Sequence, residues 1–289
     1  MAVQSLAFGR QAALERNLPL VERTLLPLLE GGEPPKVRLD AAMLLIQAYM
    51  RMGQVAQAQG MLRRAAQVAA QARFPLDNEP WLTLAQGLDA CWWAPVVGRR
   101  VTLRRPQGAD AAVLKAIFNE PLFAAAVNRD YAAQITQAPL RVLQEQLDAQ
   151  WHRSPLDLGA YVGLVLSPQG KPWGICSLVD MDLKHSRGEF IIGFTDPMPS
   201  SLAITETGLL MARLAFEHAH LHRVTCSVYG DNPRREALGR MLGKMGFVLE
   251  GCLRDHIKTA DGRFTDVQLW GCTRQQFDGA LLQKWQAKD

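Results

Sequence analysis

The sequence predicts an α/β fold, a mixed sheet with helices on its faces, preceded by an all-helical segment. Three observations carry this. Residues up to about 93 repeat apolar side chains at helical spacing. At "WWAPVVGRRVTLRRP" the pattern changes to alternation, with Val101 and Leu103 pointing one way between arginines, so a strand begins there. From that point the elements run strand, two helices, three strands, helix, strand, helix and two strands, an order that asks for a layered α/β domain rather than a bundle or a sandwich.

In the helical part, Leu18, Val21, Leu25 and Leu28 share one helix face, and Gly31-Gly32 followed by Pro34-Pro35 ends that helix. A second helix over 38–52 carries Ala41, Leu45, Ala48 and Tyr49 and is apolar on most sides, as a helix packed between two others must be. Gly53 stops it. A third helix shows Ala58, Leu62, Ala65 and Ala69, and a fourth starts at an Asp77/Asn78 cap with Pro80 in its first turn.

Past the boundary, placed near 94–98, Asp110 is read as the cap of a short helix, and Leu140, Leu143, Leu147 and Trp151 mark a longer one. Strands are expected over 160–166, 173–180 and 189–195, a helix over 203–220 and a strand over 222–229. A helix over 233–245 carries Leu238, Met241, Leu242 and Met245 at i, i+3, i+4 and i+7, and strands over 247–257 and 264–272 flank an "ADGR" turn. The expected domains are therefore 1–95 and 96–289.

Composition narrows the function classes. With 289 residues, 48% hydrophobic and 21% charged, the chain has the make-up of two packed domains and not of a disordered one. The net charge of +4 comes from basic residues spread along the chain, which argues against a nucleic-acid partner. No apolar run is long enough to span a bilayer and the first thirty residues lack a signal-peptide core, so a cytoplasmic location without membrane attachment is expected. The five cysteines, widely spaced and without CxxC pairs, are read as reduced thiols, and no metal site is expected. His218, His220 and His222 sit where a helix ends, and a cationic helix C-terminus explains them.

The element order, together with "VTLRRP", "HRVTCSVYGDN" and "GFVLEGCLRDHIKTADGRFTDVQLW", resembles the GNAT N-acetyltransferase superfamily, within it the branch of ribosomal-protein N-terminal acetyltransferases typified by RimJ and RimL. The helical segment "LLIQAYMRMGQVAQAQGMLRRAAQVA" resembles a tetratricopeptide repeat, which implies a surface for a peptide or protein partner, the other reading being helices that simply pack on the catalytic domain. The first resemblance implies acetyl transfer from acetyl-CoA, as cosubstrate, to a primary amine: a protein N-terminus, an amino sugar or a small metabolite. The alternative is a GNAT-fold scaffold that has lost catalysis.

The resemblance also implies a site. The strands over 189–195 and 222–229 should splay, with the backbone of Ile192, Gly193, Phe194 and Thr195 pairing with the pantetheine arm as an extra strand would. The glycine-rich phosphate turn of the family falls on Ser200, Ser201, Leu202, Ala203 and Ile204, where no glycine stands, and the serines serve either the phosphates or a helix N-cap. Asn232 matches the family's asparagine after the second splayed strand, as a pantetheine ligand or as a turn residue. Arg235 replaces a serine suited to protonating the leaving thiolate, which leaves Tyr229, Cys226 or water for that role, and Arg235 itself for a CoA phosphate. Candidates for the base are Glu189, Glu250, Asp255 and His256, since Ile257 stands where the family places its glutamate. The acceptor pocket is expected at Asn128, Arg129, Asp130 and Tyr131.

Overall fold

The computed structural model describes residues 2–126, 129–259 and 261–277. The chain divides into two compact units, residues 1–89 with 149–154, and residues 90–148 with 155–289. No helix among the described residues is long and apolar enough to cross a membrane.

The first unit consists of α1 (Ala2–Leu14), α2 (Leu18–Glu30), α3 (Pro35–Arg51), α4 (Val55–Ala72) and α5 (Glu79–Gly87). Connections of a few residues make α1 and α2, α2 and α3, and α3 and α4 packed neighbours. Asn17 caps α2 by accepting the Leu20 N–H at 3.2 Å. Gly9 of α1 lies so close to Leu25 that any side chain there would overlap it, and this seats α1 on α2. Leu25, Leu45, Ile46 and Ala58 are fully buried in this core. The Tyr49 hydroxyl donates to Glu22 at 2.8 Å, and burial together with that carboxylate pushes the phenol up to about 12.

The second unit is built on one eight-stranded sheet in the order β1-β2-β3-β4-β5-β6-β8-β7. Its strands are β1 (Val96–Val97), β2 (Thr102–Arg104), β3 (Tyr161–Leu166), β4 (Pro172–Asp182), β5 (Arg187–Phe194), β6 (Arg223–Tyr229), β7 (Val248–Lys258) and β8 (Phe264–Thr273). All neighbours are antiparallel except β5 and β6, which α11 (Ser201–Arg213) connects in parallel. One face of the sheet packs on α11 and α12 (Arg235–Lys244) through Phe190, Ile192, Phe194, Val224, Met241 and Leu242. The other face packs through Leu164, Ile175 and Ile191 on helices between β2 and β3. These helices are α6 (Ala111–Asn119), α7 (Pro121–Ala126), α8 (Arg129–Gln137) and α9 (Leu140–Trp151), followed by the short α10 (Pro155–Leu158).

The predicted fold class stands, with several local corrections. Four helices and a short fifth replace the two expected between the first strands, because the short segments 121–126 and 129–137 offer too few turns for a periodic apolar stripe to be read. Asp110 does not cap α6 with its side chain; it turns back to Arg104 at 2.7 Å and to the Gln107 N–H at 2.8 Å, closing a capping box on a preceding 3₁₀ turn. The helix expected over 203–220 ends at Arg213 and continues as a π turn over Leu214–His218. A buried acid anchors this layer. Glu206 of α11, 0% exposed, accepts the backbone N–H groups of Arg99 (2.9 Å) and Arg100 (2.7 Å), and Gly98 leaves room for its carboxylate.

Candidate functional site

Strands β5 and β6 are paired only at Arg187↔Arg223, Gly188↔Val224 and Glu189↔Thr225. Beyond Glu189 no ladder joins them among the described residues, whereas β5 stays paired with β4 through Phe194 and β6 with β8 through Tyr229. The two strands therefore diverge toward their C-terminal ends. That leaves one edge of Phe190–Phe194 unpaired inside the sheet, a place where an extended ligand finds backbone donors and acceptors.

The cleft at this divergence is lined by Glu189, Ile191, Ser227 and Tyr229 from the strands and by Leu238 and Met241 from α12. Its enclosed volume is about 20 Å³, enough for about one water molecule. Alternation along β5 puts Phe190, Ile192 and Phe194 against α11 and α12, and Glu189, Ile191 and Gly193 on the face toward α6–α9. Glu189 is half-buried at the vertex of the cleft. Burial raises its carboxyl above the usual glutamate range, the Ser227 hydroxyl partly offsets this, and Asp180 adds to it.

Of the four candidate bases, Glu189 alone lines this cleft. Glu250 pairs with Arg223, and Asp255 and His256 are exposed on β7, the edge strand. Strand alternation alone would turn one of these two neighbours inward, but it is broken there, because the β7–β8 register shifts between Leu253 and Ile257 and Asp255 has φ of 49°. The Asp255 N–H is tied to Asp266 at 2.9 Å.

At the mouth of the cleft, Asn232 is 3% exposed. Its Oδ1 accepts the Arg234 N–H at 2.8 Å, while its Nδ2 is buried with no acceptor among the described residues. An orphaned buried donor at this position fits a ligand carbonyl, as the amides of a pantetheine arm supply. Arg235 begins α12 and donates to Gly230 O at 2.9 Å, back into its own loop. Arg234, which the sequence reading passed over, reaches across to the other strand: its guanidinium meets Asp196 at 3.1 Å and Phe194 O at 3.5 Å. Thr195 is held to Trp173 O through both its N–H (2.9 Å) and its hydroxyl (3.1 Å).

Ser200 is the N-cap of α11, its hydroxyl accepting the Ala203 N–H at 3.3 Å. Ser201 and Leu202 are exposed in the first turn, Ala203 is buried and Ile204 is partly so. The N-terminal N–H groups of a thirteen-residue helix still favour an anion there. Cys226 faces the opposite side of the sheet from Glu189, and burial and the Glu189 charge push its thiol up to about 12, too weak an acid for a thiolate leaving group. Asn128 lies outside the described residues, and Arg129, Asp130 and Tyr131 are on α8 with side chains outside the description. His218 stacks edge-on against Trp92, with ring centroids 6.4 Å apart.

The acetyltransferase (GNAT) domain profile matches residues 100–248, just over half of the chain. Among solved structures, a probable acetyltransferase is 20% identical with a TM-score of 0.52, over 64% of this chain and 99% of that one. The ribosomal-protein-S5-alanine acetyltransferase from Vibrio fischeri is 16% identical with a TM-score of 0.51, over 64% and 99%. Spermidine N-acetyltransferase from Vibrio cholerae, solved in complex with CoA and spermine, is 19% identical with a TM-score of 0.50, over 62% and 98%. No curated protein matches the chain. At these identities the structural likeness is one of fold, and it agrees with the domain match. The chain belongs to the GNAT acetyltransferase family, as an N-acetyltransferase that takes its acetyl group from acetyl-CoA.

Proposed function

We propose that the chain acetylates a primary amine by direct attack on the thioester, with Glu189 as the base. The observation that carries this is the half-buried Glu189 carboxyl, raised by desolvation, at the vertex of the β5–β6 cleft. A carboxylate moved toward neutrality is a better proton acceptor for an ammonium than an ordinary one, while still ionised in enough molecules to act.

Acetyl-CoA supplies an activated acetyl group. The free edge at Ile192, Gly193 and Phe194 and the Asn232 amide would hold the pantetheine arm, with Thr195, tied to Trp173 O, at the end of that edge. The first turn of α11, at Ser200, Ser201, Leu202, Ala203 and Ile204, would face the pyrophosphate. Glu189 takes the proton of the attacking amine, the N–C bond forms, the C–S bond breaks, and Tyr229 or a water protonates the thiolate. Because Ser200 already caps the helix and Leu202 stands where a glycine would let backbone approach, acetyl-CoA binds at tens of micromolar or weaker on this account, each lost charge-assisted bond costing about 1.5–3 kcal/mol.

The acceptor is a protein N-terminus, an amino sugar or a small amine. Structural neighbours include both a ribosomal-protein-S5-alanine acetyltransferase and a spermidine N-acetyltransferase, so a RimJ/RimL-like peptide amine and a polyamine are the first to try. The five-helix unit, with its resemblance to tetratricopeptide repeats, recognises the partner that carries or presents the amine, and a cytoplasmic setting suits cysteines that form no disulfide among the described residues. The test is a thermal-shift titration with acetyl-CoA, followed by thiol release with Ala-initiated peptides, spermidine and glucosamine. A chain that kept the fold as a scaffold would be stabilised without consuming acetyl-CoA. No shift at all would remove the proposed cofactor site.

A further inference from the structure

We infer a second ligand site in the helical unit, a groove between α1 and α3 that binds an elongated anionic amphiphile: an apolar chain carrying one carboxylate or sulfonate. The groove encloses about 390 Å³ and is lined within this unit by Leu6 and Arg10 of α1 and by Asp40, Met43, Leu44 and Arg51 of α3. That volume lies within the range of small-molecule sites, and its floor is apolar with a few polar groups at its rim, as such sites are built.

Spacing sets its shape. Positions 40, 43, 44, 47 and 51 form one stripe along α3, so the groove runs for about 16 Å, eleven residues at the helical rise. Asp40 stands at one end and Arg51 at the other. Arg10, Arg51 and Asp40 make no salt bridge with any described residue, so the groove carries an uncompensated positive charge. An apolar chain replaces water over Leu6, Met43 and Leu44, and its anionic head is drawn to the arginines and kept from Asp40. Leu14, exposed on α1, also lines the groove, and Val3, exposed on the same helix, lies one turn before Leu6. This site is independent of the transfer reaction.

The experiment is calorimetric titration of the full chain with sodium decanoate, with decylammonium as a cation of equal length. The expected result is saturable one-to-one binding that weakens about tenfold or more in the Arg10→Ala/Arg51→Ala double variant. It is abolished by Gln47→Trp, which fills the groove, and decylammonium binds correspondingly weakly. Circular-dichroism melts and acetyl-CoA binding of each variant show that the fold is intact. Equal binding of the cation, unchanged binding in the double variant, or no saturation with the wild type would each overturn the assignment.

Discussion

Arg234, in the loop before α12, forms an ion pair with Asp196, just past the end of β5, at 3.1 Å. The pair spans the mouth of the cleft and also engages Phe194 O, one of the backbone acceptors the pantetheine arm would use. On the proposed mode of binding, acetyl-CoA has to displace this strap. Asp196 is largely exposed, so the pair is screened and contributes about 0–1 kcal/mol to stability. Asp196→Asn should speed acetyl-CoA association several-fold in stopped-flow measurements while leaving the denaturation midpoint nearly unchanged. A slower association would show that the strap organises the entrance instead of obstructing it.

Glu206 is the buried anchor between α11 and the β1–β2 turn. Glu206→Gln keeps the shape but sets an amide N–H₂ against one of the two backbone donors at 99 and 100. A buried polar group left unpaired costs about 1–3 kcal/mol, so the unfolding free energy read from urea melts should fall by that amount and the midpoint should move down with it. Gly98→Ala should act in the same direction, since its methyl would come within 2.9 Å of the Glu206 carboxylate carbon.

Asn232 separates a structural role from a binding one. Asn232→Ala loses the Oδ1 bond to the Arg234 N–H but also removes an unsatisfied Nδ2, so stability should drop by only about 1 kcal/mol. Acetyl-CoA affinity should fall about tenfold, because the bound carbonyl loses its donor. A large stability loss with unchanged affinity would make Asn232 a turn residue alone.

The pattern of this sequence reveals the layers more readily than the site. Leu238, Met241, Leu242 and Met245 announce a helix because burial imposes a period, and that helix is α12. Val101 and Leu103 announce a strand for the same reason, and both are buried, in the three-residue β2 or at its edge. Glu206 reads as a solvated helix residue, since nothing local signals that two backbone N–H groups from a turn a hundred residues earlier will meet it. Arg234 was passed over because its partner lies across a loop, at a distance no spacing encodes. Asp255 and His256 looked like an alternating pair, and a backbone bulge with positive φ cancelled the alternation. Glu189 is one of four carboxylate or imidazole candidates by pattern alone, and it lines the cleft because the β5–β6 ladder ends at it, a long-range feature that no local spacing encodes.

Glu189 should give a pH signature in stability as well as in rate. Its carboxyl is raised in the fold above 4.5, so the native state holds the proton more tightly than the unfolded chain. Stability from this group is then fully present below the unfolded value and is lost as pH rises through the folded value. Glu189→Gln cannot ionise and escapes that loss. The variant should match the wild type in acid and become the more stable of the two toward neutral pH, read from urea melts at a series of pH values. A wild type that gains stability relative to the variant over that range would mean that the carboxylate is favoured in the fold.

On the proposed mechanism, acetyl transfer takes place at the β5–β6 divergence with Glu189 as the base. Turnover of the Glu189→Gln variant, with its acetyl-CoA affinity measured by calorimetry on the same preparation, tests this most directly. The expected outcome is a fall in kcat of about a hundredfold or more, an unchanged dissociation constant for acetyl-CoA, and loss of the rise in kcat/KM with pH that Glu189 produces in the wild type. Wild-type kcat in the variant, or a kcat that falls only as cofactor binding is lost, would contradict it.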